Sequence, residues 1–393
     1  MTKDKKKLLS GDGLTFILVT ALFFTACTGV LTDDRTASDG VRAGLDSCLG
    51  ELLPSLFPFM FLSAFAAEYG ISEQLGRLLS PVTRLLFYLP GEAGVTVLFS
   101  LVGGYPVGAV GIASLRKRGV ITPSQAARML CFCVNPGPAF LIATVGEDFF
   151  GDRRLGVLLF LSQTAASVVV GATLGFAARI KSRKKQADKP ANQGKTGYTF
   201  AGIRRRDLAS AFVSAAKSAC TSAVSLCSLV VLFSAFSPLL MKALGVSRST
   251  LPGVILGCIL EVTDGTAAAA AMRLPIRAAA LAAGWGGLCV HFQVYAASSH
   301  NGKTACPPLR FMCARAVTGG LSALLLRYAG EFFAPTAAVF SNIEHTAARP
   351  TALTFTSSAA LLLSSVLFTL FIDEGGDRAN KPEDHLRIWD PRL

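Results

Sequence analysis

Residues 100–115 read SLVGGYPVGAVGIASL, inside an uncharged run that reaches back to Ala93. A run of that length crosses a bilayer as one helix, which takes roughly 20 apolar residues. Yet Gly103, Gly104, Pro106, Gly108 and Gly111 are the residues least suited to an unbroken helix. Whether this segment crosses or turns back decides the orientation of everything that follows it.

The class of protein is set by composition. The chain has 393 residues, 51% of them hydrophobic and 16% charged, with a mean hydropathy of +0.50. That is too apolar for an ordinary soluble protein. Residues 14–31, 129–146, 155–178, 218–241 and 351–372 carry no charge. The expectation is an all-α polytopic membrane protein; alternating short strands, the mark of a β-barrel, do not occur in the sequence.

The net charge of +13 suggests nucleic acid at first sight, but its placement argues for a membrane topology. Ten Lys and Arg fall between Arg179 and Arg206, and KDKKK stands at residues 3–7. A basic segment between apolar runs is the ordinary positive-inside loop; binding of lipid headgroups is the alternative. Nucleic acid is not expected as a partner. Residues 14–31 are long for a signal-peptide core, so a retained signal anchor is expected. The ten cysteines show no metal spacing; Cys131 and Cys133 read as small packing residues in an apolar segment.

Charge parity then tests the opening segment. With the N-terminus cytoplasmic, span one (14–31) leads to an acid-rich outer loop at 32–47, and span two (51–70) returns. A single crossing by residues 92–115 would place RKRG (116–119) outside, against the positive-inside rule. If 92–115 is a re-entrant hairpin, RKRG stays inside, span three (128–146) goes out, and span four (155–178) returns to the basic linker.

The second half repeats this scheme. Span five covers 210–241, and 251–272 is again an apolar run, broken by Glu261, Asp264 and Gly265. Span six covers 278–299. Span seven, 311–333, is the weakest because Arg315 and Arg327 flank only eleven uncharged residues, and span eight covers 351–372. PFMFLSAF (58–65) also echoes LVVLFSAF (229–236). About eight transmembrane helices and two re-entrant helical hairpins in inverted repeats are therefore expected, with both termini cytoplasmic. The divisions are 1–44 (anchor helix and outer loop), 45–178 (first repeat), 179–207 (linker), 208–335 (second repeat) and 336–393 (last helix and polar tail). Inverted repeats with broken segments place a transporter's substrate near the midplane.

The breaks supply candidate chemistry. Non-helical backbone at membrane depth survives only inside protein or against a water-filled cavity. Half-helix N-termini attract anions, and free carbonyls attract cations. Gly104, Tyr105, Pro106 and Gly108 make the first tip, with Tyr105 placed to stack on a planar ligand. Asn135 and Gly137, in NPGPAF (135–140), add a proline-interrupted segment; a packing kink is the alternative in both places. In the second half Thr263, Gly265, Thr266 and Gln293 are candidate substrate contacts. Glu261 and Asp264, three apart, would share one face of a continuous helix. They could bind Na⁺, carry a proton or accept hydrogen bonds from a ligand. His291 is a candidate proton carrier; a hydrogen bond between helices is the alternative for it.

GGYPVGA, CVNPGPAF, LEVTDG and GGLCVHFQV, in that order, resemble the YlbJ-type (SpoVV-type) sporulation integral membrane proteins. These belong to the wider nucleoside-recognition, or Gate, group that includes concentrative nucleoside transporters. The resemblance covers about residues 45–335. It implies a nucleoside-transporter-like fold and a secondary transporter that imports dipicolinic acid toward the forespore across the outer forespore membrane. Asp264 stands where the resembled motif, closer to EVTNG, has an amide. The alternatives are a nucleoside or ion permease of the Gate group and a non-transporting sporulation scaffold. No phosphate-binding G-x-x-x-x-G-K-[ST] loop occurs in the sequence, and no enzyme signature is found. The expected partners are a small organic anion, the bilayer and a coupling ion (H⁺ or Na⁺). No other cofactor or metal is expected, and a homo-oligomer is possible.

Overall fold

A computed structural model describes Thr20, Phe24, Thr25 and residues 27–187, 207–299 and 305–339. Most of the expected first span, residues 188–206 of the linker and the whole eighth span lie outside the described residues. The described residues up to Ala334 belong to one compact unit. Every regular element among them is helical.

Residues 27–32 are helical, and α1 (Asp34–Ser47) follows where an acid-rich loop was expected. Asp33 starts it by accepting a hydrogen bond from Thr36 N. Gly40 and Gly44 then fit α1 against the backbone of Ser234, Ala235 and Val231. That stripe of small residues lets two helices approach closely, and it overrides the local loop character. A π-helical turn, Cys48–Leu52, leads into α2 (Leu53–Tyr69). Gly70, at φ 94°, ends α2 and turns the chain into α3 (Ile71–Phe87).

The opening segment folds as two helices, α4 (Ala93–Val102) and α5 (Tyr105–Lys117). They run antiparallel: a Cβ on Gly111 would meet Thr96, and one on Gly108 would meet Ser100. Gly104, at φ 84°, makes the turn between them, and Pro106 sits in the first turn of α5. The expected third span, 128–146, is not one helix. α6 (Pro123–Leu130) stops, residues 131–137 are non-helical, and a π-helix (Ala139–Phe149) follows. Pro136 and Pro138 remove two donors and push their predecessors out of helical geometry. α7 (Arg153–Ala187) then runs back along the π-helix.

In the second half α8 (Leu208–Ala243) packs against α1 and α2. α9 (Leu251–Leu260) and α10 (Val262–Ala271) form a second antiparallel hairpin, with Gly265 seated on the backbone of Cys258. The expected sixth span is also two helices, α11 (Ile276–Trp285) and α12 (Gly287–Ser298). They join at Gly286 (φ 85°) and Gly287 (φ 74°). α13 (Pro308–Val339) includes the expected seventh span.

Among the described residues three helices are long and apolar enough to cross a membrane: Arg153–Ser182, Leu208–Ala243 and Pro308–Tyr328. The bent pair Asp34–Gly50 and Leu53–Tyr69, at 55°, makes a fourth if it counts as one span. The main buried core draws on both hairpins and both interrupted segments, with Tyr105, Phe132, Val134, Val262, Val290 and Phe311 among its members.

Candidate solute site

Four interruptions of helical backbone meet, in two pairs. The tip of the α4–α5 hairpin lies on the non-helical stretch 131–137. A Cβ on Gly137 would stand 3.3 Å from Gly104 N, and one on Gly108 would collide with Cys133 O. The tip of the α9–α10 hairpin lies on the α11–α12 joint. There a Cβ on Gly287 would stand 3.0 Å from Leu260 O and 3.1 Å from the Glu261 Cα. Glycine is needed at these places because backbone meets backbone.

Two side chains bind the pairs together. Tyr105, first residue of α5, donates its hydroxyl to Ala283 O at 2.8 Å, in the last turn of α11. Arg315 on α13 donates through Nη1 to Val134 O and through Nη2 to Ala283 O at 3.3 Å. Its guanidinium carbon lies 6.0 Å from the Tyr105 ring centroid, within cation–π range. Val134 O and Ala283 O are carbonyls left over by a non-helical stretch and a helix end. A guanidinium, weakly hydrated and forked, suits such acceptors. Arg315 is 0% exposed, and its Nε has no hydrogen-bond partner. A buried cation with a free donor is what an anionic ligand requires.

Glu261, in extended backbone at φ −144°, caps α10 by accepting from Asp264 N at 2.8 Å. It is buried. Glu261 and Asp264 do not share a helix face, because the helix is broken between α9 and α10. Asp264 turns outward and pairs with Arg248 at 2.7 Å. The carboxylate that departs from the resembled motif is thereby neutralised by a residue of the preceding loop.

His291 donates through Nδ1 to Gly287 O at 2.7 Å, which leaves Nε2 as an acceptor. Nε2 is buried without a partner, and the ring packs 4.4 Å from Trp285 and 5.0 Å from Phe311. Asn135 is buried and occupied: Nδ2 donates to Phe132 O at 2.9 Å, and Oδ1 accepts from Ser167 Oγ on α7. It holds the non-helical stretch open. Gln293 donates to Cys289 Sγ and lines a cavity beside Pro106. Thr266 donates to backbone oxygens of its own helix, and Gly108 and Gly265 serve hairpin packing. Thr263 is half-buried in the first turn of α10.

Sequence reading missed Arg315. Its charge counted there against a membrane span, whereas an ionisable residue in an apolar helix is a functional candidate in its own right. The nearby unpaired backbone of a Pro-rich stretch was the signal that could have named its partner. Ser167, which fixes Asn135, had no signal at all.

Residues 49–176 match the family model Gate, described as nucleoside recognition. The chain carries a Gate domain. It spans α2 to α7 and so includes the first hairpin and the non-helical stretch; Glu261, His291 and Arg315 lie beyond the Gate match. The chain is also 29% identical over 158 residues to the sporulation integral membrane protein YlbJ of Bacillus subtilis (strain 168). That similarity covers 40% of this chain and 39% of the relative. No solved structure matches. With its apolar helices and this relative, the Gate-containing chain is an integral membrane protein related to a sporulation protein.

Proposed function

We propose that the protein is a secondary transporter that moves a small organic anion past the junction of the four breaks. The observation that carries this reading is Arg315: a fully buried guanidinium, held by two backbone carbonyls, with Nε left over. In this reading the two hairpins are re-entrant, the halves are inverted repeats, and about eight spans cross the membrane with both termini cytoplasmic. The antiparallel α4–α5 and α9–α10 pairs, each followed by a broken segment, support that arrangement. Glu261 is the candidate coupling group, carrying a proton or facing Na⁺, and His291 Nε2 is a second.

The substrate that the sporulation resemblance implies is dipicolinic acid, taken toward the forespore across the outer forespore membrane. A dianion with a planar ring suits a guanidinium beside Tyr105. The test is uptake of labelled dipicolinate by proteoliposomes holding the full chain. Uptake abolished by Arg315→Met supports the reading, and absence of any uptake by the unaltered protein contradicts it. The Gate match favours a second reading, a nucleoside permease; uridine uptake without dipicolinate uptake would select it. A scaffold without transport would show neither and would tolerate Glu261→Gln.

A further inference from the structure

A second polar site lies beside the junction. α5, α8 and α12 enclose a cavity of about 660 Å³ that runs from Lys117 and Glu68 at its rim to Pro106 and Gln293 at its inner end. That volume is in the range of small-molecule sites. Its inner end is thus one residue from Tyr105.

On α8, Thr221 and Ser222 spend their hydroxyl protons on Lys217 O and Ser218 O, both at 2.9 Å, and present only lone pairs to the cavity. Arg116 of α5 and Ser298 of α12 also line the cavity. Arg116 Nη1 and Ser298 Oγ are both buried without hydrogen-bond partners, and Ser298 is 3% exposed. Buried donors left unpaired are costly and rare, so such groups mark a missing partner. Lys117 and Arg116 outnumber the one acid that lines the cavity, Glu68.

We propose that this cavity is an anion-binding vestibule that takes the carboxylate of a small organic acid on Arg116 and Ser298. Its place as the antechamber of the Arg315 junction rests on the transport reading; the binding itself does not. The carboxylate supplies the acceptors that Arg116 Nη1 and Ser298 Oγ lack, and the α8 wall contributes lone pairs to water or to ligand donors.

The test uses the full chain in proteoliposomes with Ser225→Cys as a reporter on the cavity wall, in a background with Cys220→Ser and Cys313→Ser. Rates of modification by an anionic sulfonate thiosulfonate reagent and by a neutral one are compared. Arg116→Gln should lower the anionic-to-neutral rate ratio at least about threefold, the effect of removing one nearby charge, and Arg116→Lys should restore it. Millimolar pyridine-2,6-dicarboxylate should slow modification of the reporter, and Ser298→Ala or Arg116→Gln should abolish that protection. An unchanged ratio in Arg116→Gln, or no protection in the parent, overturns the proposal. Protection without uptake keeps the vestibule and removes the transport reading. Uptake without protection does the reverse.

Discussion

Replacing Arg315 by methionine should separate a binding role from a structural one. The change removes a guanidinium that is 0% exposed and refills most of its volume. Ala283 O keeps its bond from Tyr105, but Val134 O loses the partner that Arg315 supplied. An orphaned buried carbonyl costs about 1–3 kcal/mol. Against that stands relief from burying a charge, itself worth several kcal/mol. The two oppose each other, so the net change in stability should stay within about 2 kcal/mol, a shift in Tm of under about 8 °C. Binding has no such compensation. Truncating one partner of a buried charged pair costs about 2–5 kcal/mol, or roughly 30-fold to several-thousand-fold in affinity. Thermal unfolding of the purified protein and calorimetric titration with dipicolinate measure both quantities on one sample. A variant that melts far below the parent yet binds with unchanged affinity would refute the reasoning and make Arg315 a strut.

Gly108→Ala drives a Cβ into Cys133 O, with backbone on both sides, and should lower stability by about 1–3 kcal/mol. Gly320→Ala faces open space within α13 and should be neutral or stabilising by up to about 1 kcal/mol; thermal unfolding ranks the two, and the opposite order contradicts the packing. Glu261→Gln keeps an oxygen to cap Asp264 N while removing the charge, so uptake driven by a pH gradient should fall to the level of gradient-free exchange with Tm unchanged. A gradient response that survives would release Glu261 from coupling. Asp33 is held below the usual carboxylate range, chiefly by its hydrogen bond from Lys242. Such a depressed group stabilises the fold above its unfolded value and loses that contribution as pH falls through its folded value. Asp33→Asn should therefore flatten the dependence of Tm on pH below about pH 4, and superimposable profiles would show the pair to be inert.

The two hairpins could be read in the sequence because backbone chemistry is local. Gly103, Gly104 and Pro106 dictate a turn wherever they occur in an apolar run, and Glu261 cannot sit in lipid within an unbroken helix. The breaks at 131–137 and at Gly286 and Gly287 were harder. Pro136 and Pro138 signal an interruption, but its seven-residue length depends on Asn135 and Ser167 meeting across elements. α1 was illegible for the same reason: Asp33, Asp34 and Asp39 read as loop, and only the close approach of Gly40 and Gly44 to α8 makes a helix worth forming. Arg315 was the largest loss. Its partners, Val134 O and Ala283 O, are backbone atoms 181 and 32 residues away, and no side-chain pattern announces a carbonyl.

The central claim is that an anion sits where the four breaks meet. A structure of the full chain with bound dipicolinate tests it most directly. The account predicts a carboxylate within hydrogen-bonding distance of Arg315 Nε, with the ring against Tyr105. A ligand bound elsewhere, with Arg315 Nε satisfied by protein or water alone, would contradict it.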